Sequence, residues 1–275
     1  MQHIKDVCEK MAKRLGLTLE HSQKERFFLD RIVEKKELCD SRLMCIVARP
    51  GIGKTTLALD FVLPEAMESE GKTLIFSSEK TAEQMVSQFI MKISGINICL
   101  MNSSLADYQK KSEFSKVLAF LSGLDIYLED FEEQDGPELS CVESAVTSFE
   151  DVRLVLLDGL YCFWTETKDE KLSKKLQSEA VARVKSLSKK CNATILMTTY
   201  MSRADIKKAY NEDMQDSVFF ESGVDVLLVL HRASFFCAEL VNTITDLLIV
   251  NKSGNYIKEA LCYDTKYRKF LKVAD

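Results

Sequence analysis

The sequence predicts an α/β fold in which a mostly parallel central sheet carries helices on both faces, with a short helical segment in front of it. Three observations predict this. From residue 42 onward, apolar runs of strand length alternate with helical patterns. Ala48-Arg49-Pro50-Gly51-Ile52-Gly53-Lys54-Thr55-Thr56 is a glycine loop set between an apolar run and an amphipathic one. Only 10 glycines and 3 prolines punctuate the 275 residues, and no repeat, low-complexity tract or flexible linker divides them.

Taken in order, residues 1–38 are helical in pattern. Ile4, Val7, Met11 and Leu15 form one apolar stripe, and Phe27, Phe28, Ile32 and Val33 form a second. This segment either packs on its own domain or docks as an arm on a neighbouring subunit. The remainder, 39–275, reads as one domain. Leu43–Val47 is a buried strand, and Thr55–Met67 a helix that Pro64 either breaks or leaves continuous. Thr73–Ser78 is a strand and Ala82–Ile93 a helix with Met85, Phe89 and Ile93 on one side. Ser112–Leu121 is helical, Leu124–Leu128 strand-like, Leu139–Phe149 helical, and Leu154–Asp158 a buried strand. Lys171–Lys190 is a helix whose charges mark a wet face, followed by a strand over Ala193–Met197. Val224–Leu230 and Thr245–Val250 are further strands, and the alternation over Glu259–Lys272 predicts a terminal hairpin.

Composition bounds the class. Hydrophobic residues make up 46% and charged residues 29%, the balance of an ordinary globular protein. The net charge of −5 leaves no global nucleic-acid footprint, although basic loops lining a channel are compatible with it. Nine cysteines contain no Cys-x-x-Cys pair and are odd in number, which argues against a zinc site or a disulfide framework. Those in apolar runs, such as Cys45, read as small core hydrophobes, and reduced thiols fit a cytoplasmic setting. No signal peptide is read at Met1–Arg14, which is charged throughout, and no apolar run reaches membrane-spanning length. The three histidines are too scattered to form a metal cluster.

Strand, glycine loop, Gly-Lys-Thr, helix is the arrangement that cradles a nucleotide's phosphates. Loop N–H groups and the helix N-terminus face the anion, and Gly51 and Gly53 let the backbone approach it. Lys54 supplies a point charge to the terminal phosphates, and the Thr55 hydroxyl is a ligand for Mg²⁺. Ala48 stands where the general pattern has its first glycine. Leu154-Val155-Leu156-Leu157-Asp158 has the form of the partner strand that delivers a carboxylate to the Mg²⁺ shell. Glu79 follows the second strand. There it is either the group that orients an attacking water or a solvated residue ahead of a helix capped by Thr81 and Gln84, and position alone does not choose.

These residues, in this order, resemble the ATPase domain of the DnaB-type hexameric replicative helicases, a branch of the RecA-like P-loop superfamily. The resemblance runs from about Phe28 to the C-terminus. In that family Ala also replaces the first glycine, as at Ala48. Ile75–Gln84 is similar to the family's second strand, which makes Glu79 the catalytic base. Leu154–Tyr161 is similar to its Walker B strand, Glu179–Thr198 to the helix and strand after it, and Asp213–Arg232 to the segment leading into a late strand. The resemblance implies ATP as the nucleotide, Mg²⁺ on Thr55 and Asp158, and Arg49 to Thr56 around the phosphates. It further implies a homo-oligomer, a hexameric ring, acting on single-stranded DNA beside other replication proteins in the cytoplasm.

Two motifs depart from the family. Its sensor Gln after the Walker B strand is replaced by Tyr200. Its late Lys-x-Arg-x-Gly, whose Arg reaches a neighbour's nucleotide, is replaced by Val250-Asn251-Lys252-Ser253-Gly254. Lys252 keeps the charge but not the bidentate fork. Arg203, Lys207 and Lys208 lie in a loop that either tracks DNA phosphates or is merely solvated beside Asp205, Glu212, Asp213 and Asp216. Tyr161, Phe163 and Trp164 either stack on a base or pack on the next helix. The expected function is an ATP-driven helicase motor. The alternative is a divergent ATP-binding assembly or helicase-docking protein, and a RecA-like recombination or clock-type ATPase is a weaker third, disfavoured by the Ala-Arg-Pro opening of the loop.

Overall fold

A computed structural model of the chain describes residues 1–17, 19, 43–68, 70–96, 108–131, 138–159, 170–200, 223–232, 244–252, 256–264 and 267–273. Among the described residues, ten strands form a single sheet: β1 (Gln2–His3), β2 (Leu43–Ala48), β3 (Lys72–Ser77), β4 (Ile126–Asp130), β5 (Val152–Asp158), β6 (Thr194–Tyr200), β7 (Val226–His231), β8 (Ile244–Asn251), β9 (Tyr256–Asp264) and β10 (Lys269–Lys272). Their order is β1-β4-β3-β5-β6-β2-β7-β8-β9-β10. Pairs from β4 through β7 are parallel, and the pairs at both margins are antiparallel. The expected terminal hairpin is β9–β10. The two-residue β1 carries no sequence signal and exists because it pairs with β4.

Six helices among the described residues cover the sheet: α1 (Ile4–Arg14), α2 (Lys54–Glu68), α3 (Ala82–Ser94), α4 (Tyr108–Ser122), α5 (Leu139–Ser148) and α6 (Glu170–Cys191). Side chains alternate across each strand, so the central strands feed two cores. Met44, Ile46, Ile75, Leu156 and Leu196 face one core with α1 to α4. Cys45, Val47, Leu74, Val155 and Ile195 face the other with α5 and α6. Every residue of β2 is buried, as a strand covered on both faces requires.

The Ile4, Val7, Met11 stripe of α1 is buried in the first core, and Arg14 and Lys10 reach Glu83 of α3 at 2.7 and 3.3 Å. These residues pack on the same body as the sheet. The second N-terminal stripe, the 38/39 boundary, Tyr161 to Trp164, and Arg203, Lys207 and Lys208 lie outside the described residues. The alternative at Pro64 is decided: α2 runs unbroken to Glu68 with Pro64 inside it. Leu59, Val62, Leu63 and Pro64 are all buried there, and their packing holds the helix across the missing N–H.

Candidate nucleotide site

Register fixes the site. Ser77 of β3 stands opposite Asp158 of β5, and Ala48 of β2 opposite Tyr200 of β6. Since β3, β5, β6 and β2 are neighbours in that order, four strand tips line one edge of the sheet. This is the carboxyl edge, where open α/β sheets bind ligands. The glycine loop leaves from Ala48 and enters α2 directly at Lys54.

The loop explains its own residues. Ala48 ends β2 in extended backbone and needs no glycine. Gly51 and Gly53 have φ of +78° and +117°, which side chains other than hydrogen resist. A Cβ on Gly53 would lie 3.0 Å from the ring of Phe270 on β10. The curled hairpin therefore forms a floor beneath the loop. Ile52 is buried and its N–H donates to the Arg49 carbonyl at 3.4 Å, while the Leu57 N–H donates to the Gly53 carbonyl at 2.9 Å. Pro50 and Gly51 face outward. Thr56 donates to the Tyr263 hydroxyl, and the guanidinium of Arg232 lies 5.4 Å from the centre of the Tyr263 ring.

Thr55 and Asp158, 103 positions apart, meet in the interior: the Thr55 hydroxyl lies 2.9 Å from both carboxylate oxygens. Thr198 of β6 donates to Asp158 Oδ1 at 2.8 Å and accepts from the Gly159 N–H at 2.8 Å. Asp158 is 2% exposed. Burial, then the charge of Glu79, pushes its pKa up to about 6 against the opposing hydroxyl bonds. Lys54 is buried too, and desolvation lowers its pKa while Glu79 and Asp158 pull it back up. Its ammonium sits 3.8 Å from the centre of the Tyr200 ring, and the Tyr200 hydroxyl donates to Glu79 Oε1 at 3.0 Å.

Glu79 thus stands beside the lysine, and the Thr81–Gln84 capping box is formed as well; the two readings of this stretch are compatible. Lys252 stands apart. Its N–H donates to the Asp225 carbonyl at 2.9 Å, and the Asp225 N–H donates to the Leu43 carbonyl at 2.8 Å, so it lies level with the start of β2. The length of β2 separates that level from the loop, about 20 Å. Lys252 cannot reach the Lys54 of its own chain. Thr198, Tyr263, Arg232 and Phe270 are not legible in the sequence as site residues. Thr198 reads as one more buried strand position, and the others are brought in by long-range pairing.

The family model for the DnaB-like helicase C-terminal domain matches residues 29–272. The chain belongs to that family. This DnaB-type chain is 22% identical over 235 residues to the replicative DNA helicase DnaC of Bacillus subtilis, covering 83% of this chain and 52% of the relative. It is 20% identical over 249 residues to the replicative DNA helicase DnaB of Geobacillus stearothermophilus, covering 88% and 54%. The DnaB-type chain therefore spans about half the length of these relatives. Its fold matches a separately solved ATPase domain with a TM-score of 0.70 at 16% identity, covering 98% and 99% of the two chains. A DnaB-like replicative helicase solved in connection with primase matches at a TM-score of 0.66 and 17% identity, covering 85% of this DnaB-type chain and 58% of that one.

Proposed function

We propose that the chain is the ATP-hydrolysing motor of a DnaB-type DNA helicase, acting in DNA replication in the cytoplasm. The observation that carries this reading is the meeting of the Thr55 hydroxyl with both oxygens of buried Asp158 beside Lys54. One hydroxyl and one carboxylate are the hard oxygen ligands Mg²⁺ takes when it keeps most of its water and is shared with phosphates. Held there by Thr55 and Asp158, Mg²⁺ would neutralise charge on the triphosphate. The loop from Arg49 to Thr56 and the N-terminus of α2 hold the phosphates. Lys54 meets the charge that develops on the γ-phosphate, and Glu79 orients the attacking water and accepts its proton.

Lys252, on the opposite edge of the sheet, would act on the nucleotide of an adjacent copy. This favours a homo-oligomer, with a hexameric ring as the family's arrangement, and it makes turnover depend on assembly. Residues 39–275 are taken as the motor unit, with β1 and α1 of the 1–38 segment packed onto it. Arg203, Lys207 and Lys208 follow β6 in sequence and remain the proposed contacts to single-stranded DNA. Primase, with which one of the similar helicases is described as interacting, is a candidate partner among replication proteins. The relatives are replicative helicases, which weighs against the assembly-protein alternative.

The test is ATP turnover titrated with single-stranded DNA, alongside mass measurement with and without an ATP analogue. DNA-stimulated turnover, its loss in Lys54→Ala, and a mass of several subunits with the analogue are expected. Absence of turnover at every DNA concentration would sink the motor reading.

A further inference from the structure

One side chain touches both groups to which the chemistry is assigned. Tyr200 lays its ring against the Lys54 ammonium at 3.8 Å and donates a hydrogen bond from its hydroxyl to Glu79 Oε1 at 3.0 Å. It ends β6, the strand inserted between the loop strand β2 and the Asp158 strand β5, so it stands in the middle of the row of strand tips. It is 38% exposed, whereas its predecessors Thr198 and Thr199 are buried, and it belongs to neither core. Core packing does not explain an exposed aromatic held between an ammonium and a carboxylate.

The two contacts are physically different. The ring face attracts the ammonium through its quadrupole, without using the N–H donors in one fixed direction. Lys54 therefore keeps donors to turn toward a phosphate. The phenol bond to Glu79 is charge-assisted and directional. It occupies Oε1 and fixes the plane of the carboxylate, leaving Oε2 as the oxygen that can accept from a water. A general base is effective only when that oxygen is correctly aimed, and small misplacements cost rate steeply.

We propose that Tyr200 is the positioning residue for Glu79: its hydroxyl aims the carboxylate, while its ring, seated on Lys54, ties that aim to the lysine that meets the phosphates. This rests on the reading of Glu79 as the base. It also gives the position of the missing sensor Gln a role by different chemistry. The ring contact reports where Lys54 lies, and the hydroxyl passes that position to the base.

Tyr200→Phe keeps the ring on Lys54 and removes only the hydroxyl, at an exposed position where folding is not at stake. The expected result is a fall in kcat of about 10-fold with KM for ATP held within about 2-fold. The second arm is a double-mutant cycle with Glu79→Gln. A residue that acts through Glu79 has nothing left to position there, so Tyr200→Phe should lower turnover by less than about 2-fold in the Glu79→Gln background. Equal effects of Tyr200→Phe in both backgrounds, or a change confined to KM, would overturn the positioning role and leave the motor reading intact. Wild-type turnover unaffected by Glu79→Gln, or no wild-type turnover at all, would overturn the assignment of the base and this proposal with it.

Discussion

Asp60 and Asp158 are two carboxylates buried against the same helix, and the chain answers them differently. Asp60 lies on α2 and receives the ammonium of Lys92 at 2.6 Å and the Phe270 N–H at 3.2 Å. Lys92 also donates to the Arg268 carbonyl at 2.9 Å. This pair ties α2 and α3 to the terminal hairpin, whose Phe270 lies under Gly53. Asp158 receives only hydroxyls, from Thr55 and Thr198, and among the described residues no ammonium or guanidinium lies within ion-pair distance of it. The difference teaches what each is for. A buried charge whose counter-charge is built into the chain holds elements together. One held by neutral donors, with its pKa pushed up to about 6, is the one that, under the proposed function, takes a cation from a ligand.

The largest expected effect separates the two by activity. Asp158→Asn keeps the shape and one acceptor but removes the charge, so ATP turnover should fall by about 10³-fold while the thermal transition is not lowered. Loss of the fold instead would make Asp158 a structural residue and erase the contrast.

Next in size is the effect on stability of breaking the other pair. Asp60→Ala leaves Lys92 buried without its partner, which costs about 3–5 kcal/mol and lowers the melting temperature by roughly 10 °C. Asp60→Leu with Lys92→Met should recover much of that loss, because removing both charges removes the uncompensated one. Calorimetry of the single and double variants checks both.

The smallest effect is a pH dependence. Asp158 is protonated more readily in the folded chain than in the unfolded one. In metal-free buffer its contribution is therefore fully favourable below about pH 4 and is lost as pH rises toward about 6, by up to about 3 kcal/mol. Above that the penalty is constant. Chemical denaturation of wild type and Asp158→Asn from about pH 4 to about pH 8 should show the two curves diverging over that window. Parallel curves would mean that the hydroxyls, not burial, govern the carboxylate.

Much of this is legible in the sequence because local chemistry repeats in short motifs. Gly51, Gly53, Lys54 and Thr55 are consecutive or nearly so, and their flanking strand and helix are written in apolar spacing. Asp158 and Glu79 are legible as carboxylates at the ends of apolar strands, and parallel register brings such ends to one edge. What is not legible depends on distance along the chain. Asp60 and Lys92 look like the wet sides of two helices, because nothing local records that α2 and α3 bury those sides against the terminal hairpin. Phe270 looks like one more inward residue of a hairpin until the curl of the sheet sets it beneath Gly53. Pro64 leaves a break open because propensity is local, and the buried face that carries the helix across it is not.

Asp158, on this account, waits for a cation delivered with a triphosphate. The most direct test is titration of the chain with a non-hydrolysable ATP analogue, in Mg²⁺ and in chelator, for wild type and Asp158→Asn. Wild type should bind at least about 10-fold more tightly with Mg²⁺, and Asp158→Asn should lose that dependence while still binding the analogue through Lys54. Equal wild-type affinity with and without the metal, or a full Mg²⁺ effect surviving in Asp158→Asn, would contradict it.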